Sequence, residues 1–89
     1  MRAIITVIGK DRVGIIAAVS SVLAECNINI LDISQTIMQD MFTMIMLTDV
    51  SHSKVPFDEL SGCLKLKGGE LGLNIRIQHE DIFNSMHRI

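Results

Sequence analysis

The spacing of hydrophobic and polar residues changes several times along the chain, and each change indicates a new secondary-structure element. Residues 3–8 are apolar and largely β-branched and end at Gly9, which is typical of a strand. From Val13 onward, apolar residues recur every three or four positions, a helical period that stops near Asn27. The apolar stripe of this predicted helix comprises Ile15, Ile16, Val19, Val22, Leu23 and Cys26.

Alternation with a period of two over residues 27–39 predicts a second strand. After a tight turn at Gln39 and Asp40, residues 41–50 are predicted to form a third strand. Pro56 suits the first turn of a second helix, and Ser53 is a candidate cap for it. We expect that helix to fray or bend near its paired glycines, Gly68 and Gly69, because each costs about 1 kcal/mol relative to alanine. A fourth strand is predicted over 73–78.

The predicted order, β-α-β-β-α-β, belongs to the α+β class. Right-handed crossovers close it into a ferredoxin-like sandwich, a four-stranded antiparallel sheet with two helices on one face. Residues 1–80 form this domain, and 81–89 form a C-terminal short helix or tail. Strands one and three are apolar on both faces, which suits central strands. Their uncovered face predicts a homodimer, and the C-terminal segment is a second candidate to cover it.

Composition excludes some classes of function. The chain has 89 residues, 48% of them hydrophobic and only 3% aromatic, so aliphatic side chains and methionine must fill the core. A net charge of −2 without basic clusters argues against nucleic acid and membrane surfaces as partners. The chain shows neither a leader pattern nor a membrane-spanning run, and Cys26 and Cys63 are interpreted as buried hydrophobes. We therefore expect a cytoplasmic protein.

The stretch GKDRVG between the first strand and the first helix offers the strongest candidate chemistry. Unpaired N–H groups at a helix start attract anions, and Lys10 and Arg12 add positive charge beside them. We expect Gly9 to let the chain turn, Asp11 to cap the helix or meet a ligand ammonium, and Gly14 to allow close approach. From the residues alone, a capped and solvated turn without a ligand is the simpler interpretation.

The sequence ITVIGKDRVGIIAAVSSVLAECNINILDISQT resembles the first half of an ACT domain, the small ligand-sensing module of amino-acid metabolism. With the ending RIQHEDIFNSMHRI, it is similar to short, free-standing ACT proteins of bacteria and archaea. The resemblance implies a regulatory binding module and not an enzyme. It implies an amino acid or similar small carboxylate held between two copies of the domain.

The resemblance also implies which residues contact that ligand. By position they are Gly9, Asp11 and Gly14 in the loop, and Asn29 and Ile30 from the partner copy. We predict that the ligand-binding site also includes the neighbouring residues Lys10, Arg12, Val13 and Ile15. Gly9 stands where some serine-sensing members place a side chain, which argues against serine. The alternative is a ligand-free interaction or scaffolding domain that docks on a metabolic enzyme or regulator.

The remaining candidate residues indicate no second chemistry. His52, His79 and His87 lack metal-ligand spacing and are interpreted as surface residues, so no metal site and no cofactor is predicted. Met38, Met41, Met44 and Met46 are interpreted as core or interface filler. An RNA-binding sheet needs aromatic residues on its central strands, where only Phe42 occurs. No catalytic residue is predicted, because no base is indicated beside Ser20 or Ser21.

Overall fold

Seven elements follow one another in the computed structural model, which describes residues 1–86 and their side chains through Asn84. They are β1 (Arg2–Lys10), α1 (Ile15–Glu25), β2 (Asn29–Met38), β3 (Met41–Asp49), α2 (Phe57–Leu71), β4 (Leu73–His79) and α3 (Glu80–Met86). This order confirms the predicted βαββαβ arrangement, and the short helix α3 follows it. The last prediction for the tail, a surface position for His87, lies outside the described residues.

The four strands form one antiparallel sheet in the order β2-β3-β1-β4, so β1 and β3 are central as predicted. The start of β1 lies at the same end of the sheet as the start of β2, because Arg2 and Asn29 both pair with Asp49. At the other end, Lys10 and Met38 both pair with Met41. This register decides which predicted site residues can meet within one chain.

The core lies between the sheet and the two helices α1 and α2. Alternate residues of every strand except β2 are buried on this face, and both helices bury an aliphatic stripe against them. Its fully buried side chains are Ile5, Val7, Val19, Leu23, Met44, Met46, Leu60, Leu64 and Thr48. The buried hydroxyl of Thr48 has a hydrogen-bond partner there, because it donates to the carbonyl of Ala3 at 2.9 Å.

Helix α2 differs from its prediction at both ends. It is continuous from Phe57 to Leu71 and ends at Gly72, whose φ is 70°, so the expected fraying at the paired glycines is not found. Pro56 is the N-cap residue instead of a first-turn residue, and no side chain caps this helix. The Ser53 hydroxyl instead exchanges hydrogen bonds with the main chain of Val55, so it is not the cap that was expected.

The second face of the sheet is partly covered by α3. Phe83 of this helix lies over the sheet beside Thr6, Ile8 and Ile45. Ile8 and Ile45 remain 43% and 40% exposed, so the apolar central strands are only half covered within one chain. Within residues 1–86, no helix has the length and apolar character needed to cross a membrane.

Candidate functional site

The start of helix α1 carries the geometry on which a ligand site depends. The helix begins after Gly14, whose φ of 93° is left-handed and unfavourable for any residue with a Cβ. No side chain among residues 1–84 caps this end, so the expected capping by Asp11 is wrong. The reason is positional, because the N-cap lies three residues beyond Asp11. The first N–H groups of the helix therefore have no partner within it.

Gly9 has a different role from the one predicted. It lies inside β1, paired with Phe42 on one side and Leu73 on the other, and does not form the turn. A Cβ atom on Gly9 would lie 2.5 Å from Cδ2 of Leu73 and 3.3 Å from the carbonyl oxygen of Gly72. The missing side chain lets the first residues of β4 pack against β1.

Hydrogen bonds fix the loop between β1 and α1 to its surroundings. The main-chain N–H of Asp11 donates to the carbonyl of Asp40 at 2.7 Å, which ties the loop to the β2–β3 turn. Lys10 faces the carboxylate of Asp40 at 3.9 Å, with both side chains largely exposed. Arg12 donates from Nη1 to the carbonyl of Leu71 at 3.2 Å, at the end of α2. Both loop cations therefore already have partners.

A groove of about 320 Å³ runs from this loop across the edge of the sheet. Its lining residues are Asp11, Arg12, Gly14, Ile15, Ile16, Ala17, Gln35, Ile37 and Phe42. Gln35 and Ile37 were missed at the sequence level. Their signal was available in the alternation Ile33, Gln35, Ile37, which the register places opposite the buried residues of β3 and so on the helix side. Val13 does not line the groove and is fully exposed.

Asn29 and Ile30 lie at the far end of the same chain. Asn29 pairs with Asp49, and it lines a separate depression with Asn27 and His52 at the end of α1. Ten residues of β2 separate the two ends, which at 3.3 Å per residue is roughly 30 Å. One chain therefore does not bring Asn29 and Ile30 to the loop. Only a second copy could do so, as the resemblance implies.

The remaining candidate side chains form no second cluster. Among the described residues no three metal-ligating side chains come together. His52 is exposed, whereas His79 is half-buried and stacks on Phe57 with ring centroids 4.1 Å apart. The prediction of two buried cysteines is wrong for Cys63, which is exposed, because its position on α2 faces away from the sheet.

Comparison with known proteins agrees with this architecture. The family model for the ACT domain matches residues 2–78. A UPF0237 protein of Clostridium acetobutylicum is 68% identical over 89 residues, covering 100% of both chains. Among solved structures, an ACT domain protein from Streptococcus pneumoniae superposes with a TM-score of 0.82 at 44% identity, covering 98% of each chain.

The regulatory subunit of an enzyme also shares the fold. The regulatory subunit of aspartate kinase from Thermus thermophilus, in its ligand-free form, superposes with a TM-score of 0.66 at 26% identity. The alignment covers 86% of this chain and 50% of that one.

Proposed function

The chain belongs to the ACT domain family of regulatory, small-molecule-binding modules, and from this premise we propose that it senses an amino acid or a similar small carboxylate at a homodimer interface. The observation that carries the proposal is the uncapped start of α1 at the mouth of the 320 Å³ groove. Catalysis has no part in the proposal, which places the protein in the cytoplasm.

The ligand carboxylate binds at the first turn of α1. The N–H groups after Gly14 lack side-chain partners, and the helix dipole adds about half a positive charge there. Gly14 leaves open space, since a Cβ built on it meets no atom within 4 Å. An anion can therefore approach these N–H groups closely, even though Lys10 and Arg12 have partners of their own.

The rest of an amino acid finds complementary groups along the same groove. The exposed carboxylate of Asp11 pairs with the ligand ammonium, and the Gln35 amide can donate to or accept from a polar ligand group. Ile16 and Ile37 are 38% and 51% exposed and offer an apolar wall to the ligand side chain. A zwitterion with an aliphatic or small polar side chain matches this set.

The second copy joins through the free edge of β2. This strand has ten residues with one charged side chain and no proline, and all but Ile30 are exposed. Such an unprotected edge is a template for pairing with another strand. Antiparallel pairing of two β2 strands about a two-fold axis at Ser34 brings the partner's Asn29 beside Met38, because the register shift between Ile30 and Asp32 takes up one residue. The residues that one chain keeps roughly 30 Å apart then meet at one groove.

The proposal is tested by titration calorimetry with the twenty amino acids. We expect heat from one ligand or a small group, with binding at least about tenfold weaker in Asp11→Ala, because a hydrogen bond to a charged group contributes about 1.5–3 kcal/mol. Asn29→Ala should also weaken binding of the same ligand. Glu70→Ala removes an equal charge from α2 and serves as the matched control. A flat panel, or equal losses in Asp11→Ala and Glu70→Ala, contradicts sensing.

A second candidate function is ligand-free docking on a metabolic enzyme or regulator. The contacts of Arg12 with the Leu71 carbonyl and of Lys10 with the Asp40 carboxylate favour it, because both cations have partners without a ligand. Under this alternative the titrations stay flat, and the chain co-elutes with a purified enzyme in gel filtration.

A further inference from the structure

A second cleft lies on the sheet face opposite the groove. It encloses about 400 Å³ and is lined by Thr6, Ile8, Ile45, Asn74, Arg76, Gln78 and Phe83. Thr6 and Ile8 alternate along β1 with Ile5 and Val7, which are buried under α1 and α2. The cleft therefore opens on the face of the sheet away from α1 and α2. It shares no lining residue with the proposed amino-acid groove, and its volume falls in the range of small-molecule sites.

Sheet register places an apolar floor beside a polar rim. Ile45 pairs with Thr6, and Thr6 pairs with Arg76, so these three residues form one row across three strands. In the adjacent row on the same face, Ile8 pairs with Asn74. Arg76 and Asn74 stand two residues apart on β4, and their side chains carry hydrogen-bond donors at one border of the floor. The Phe83 ring bounds the cleft on the side of α3.

The charges around the cleft favour an anion. Among the described side chains, no carboxylate lies within 4 Å of the Arg76 guanidinium, whereas Arg2 is paired with Glu80 and Lys67 with Glu70. The described residues that line the cleft include no aspartate or glutamate. A ligand ammonium would lose water there without gaining a counter-ion, which is unfavourable. A carboxylate would gain the planar, two-pronged donor set of arginine.

We propose that this cleft is a second binding site, specific for a small monoanion that joins a carboxylate to an aromatic or branched apolar group. The carboxylate accepts from Arg76 and Asn74, and the apolar group covers Ile8 and Ile45 beside the Phe83 ring. Stacking of a second copy on this face is disfavoured, because α3 occupies the layer above β1 and β4 that a second sheet would need.

The test compares two probes that differ in one ammonium group, 3-phenylpropionate and L-phenylalanine, by amide-resolved NMR titration of the full chain. We expect saturable shifts at Thr6, Ile8, Ile45 and Arg76 with 3-phenylpropionate. L-Phenylalanine should shift these amides only at concentrations about tenfold higher or more, as expected for an uncompensated charge. Amides of residues 9–15 report the other groove separately, so failure at one site is distinguishable from failure at the other.

Two variants test whether Arg76 binds the carboxylate of the probe. Arg76→Gln should weaken the binding of 3-phenylpropionate about tenfold or more, as expected for loss of a charge-assisted hydrogen bond. The control is Lys65→Gln, which removes an equal charge from the exposed side of α2 and should leave this binding unchanged. The proposal is overturned by the absence of saturable shifts, by equal binding of the two probes, or by equal losses in the two variants. Cleft shifts that depend on protein concentration and not on the anion would identify a second copy as the occupant and overturn it too.

Discussion

Gly68 on α2 and Leu73 on β4 approach so closely that a Cβ atom on Gly68 would lie 2.8 Å from the carbonyl oxygen of Leu73. Ile75 lies on the other side of the same space, with its Cγ1 atom 3.2 Å from that position. The contact sets how near the helix can lie to the edge strand. Because the obstructing atom belongs to the main chain, rotation of a side chain cannot relieve it.

Gly68→Ala should therefore lower the free energy of unfolding by about 1–3 kcal/mol, the usual effect of overpacking. The neighbouring Gly69 provides the control, because a Cβ atom there meets nothing within 4 Å. Gly69→Ala should raise the free energy of unfolding by about 1 kcal/mol through helix propensity. Urea denaturation of both variants checks the pair, and effects of the same sign would contradict the packing described.

Acid should remove a contribution of Asp49 to stability. The side-chain and main-chain hydrogen bonds of Ser51 lower the pKa of the Asp49 carboxyl below its ordinary value. A lowered pKa in the fold stabilises the protein above the unfolded-state pKa of about 3.9, and the contribution is lost as pH falls through the folded-state value. We expect Asp49→Asn to be less stable than the natural chain at pH 7, with the difference shrinking as the pH falls below the ordinary aspartate pKa of about 3.9.

Urea denaturation at pH 7, 5 and 3 measures that convergence. Asp40→Asn removes an equal charge at an exposed position near the other end of the sheet and serves as the control. A stability difference for Asp49→Asn that stays constant between pH 7 and pH 3 would show that the carboxylate charge is not its cause.

Much of the fold could be predicted from the sequence because burial leaves a direct trace in it. The sequences of β1 and β3 are apolar on both faces, which indicates central strands, and that of β4 alternates, which indicates an edge strand. The observed strand order agrees with this pattern. The helix end at Asn27 was also visible, since its φ of 61° suits asparagine. What the pattern could not show was close packing, as at Gly68, because the obstructing atom belongs to another element.

The candidate site was predictable in composition but not in geometry. The loop from Lys10 to Gly14 was recognised, yet Asp11 was assigned as a cap because the sequence does not show where a helix begins. The positive φ of Gly14 sets that point three residues later. Gln35 was missed for a related reason. The alternation in β2 indicates which face it shares with Ile33 and Ile37, but only the pairing of β2 with β3 places that face at the groove.

The two cysteines should react with iodoacetamide at different rates. Cys63 is exposed, whereas Cys26 is half-buried against the core, and burial together with the nearby Cys63 and Glu25 raises the pKa of its thiol. Thiolate is the reactive form, so Cys26 combines lower access with a smaller thiolate fraction. We expect Cys63 to be alkylated several-fold faster at pH 8, as followed by peptide mass spectrometry. The fast phase should be absent in Cys63→Ser, and an equally fast Cys26 in that variant would contradict the assignment.

The free edge of β2 leads to a prediction about assembly. Ile33 lies next to the proposed two-fold axis and is 40% exposed in the single chain. Ile33→Lys would bring two ammonium groups near each other across that axis, and charged edge residues oppose strand pairing. We expect light scattering to show a dimer of the natural chain at micromolar concentration. The dissociation constant of the Ile33→Lys dimer should be at least about tenfold higher.

Leu66→Lys is the matched control, because Leu66 is a 69% exposed aliphatic residue on α2, away from the edge. It should leave the dimer intact. If Leu66→Lys dissociates the dimer and Ile33→Lys does not, the copies join through their helices. The partner's Asn29 then has no route to the groove, because strand pairing at β2 is what brings it beside Met38. A monomeric natural chain would remove the basis for a shared ligand site altogether.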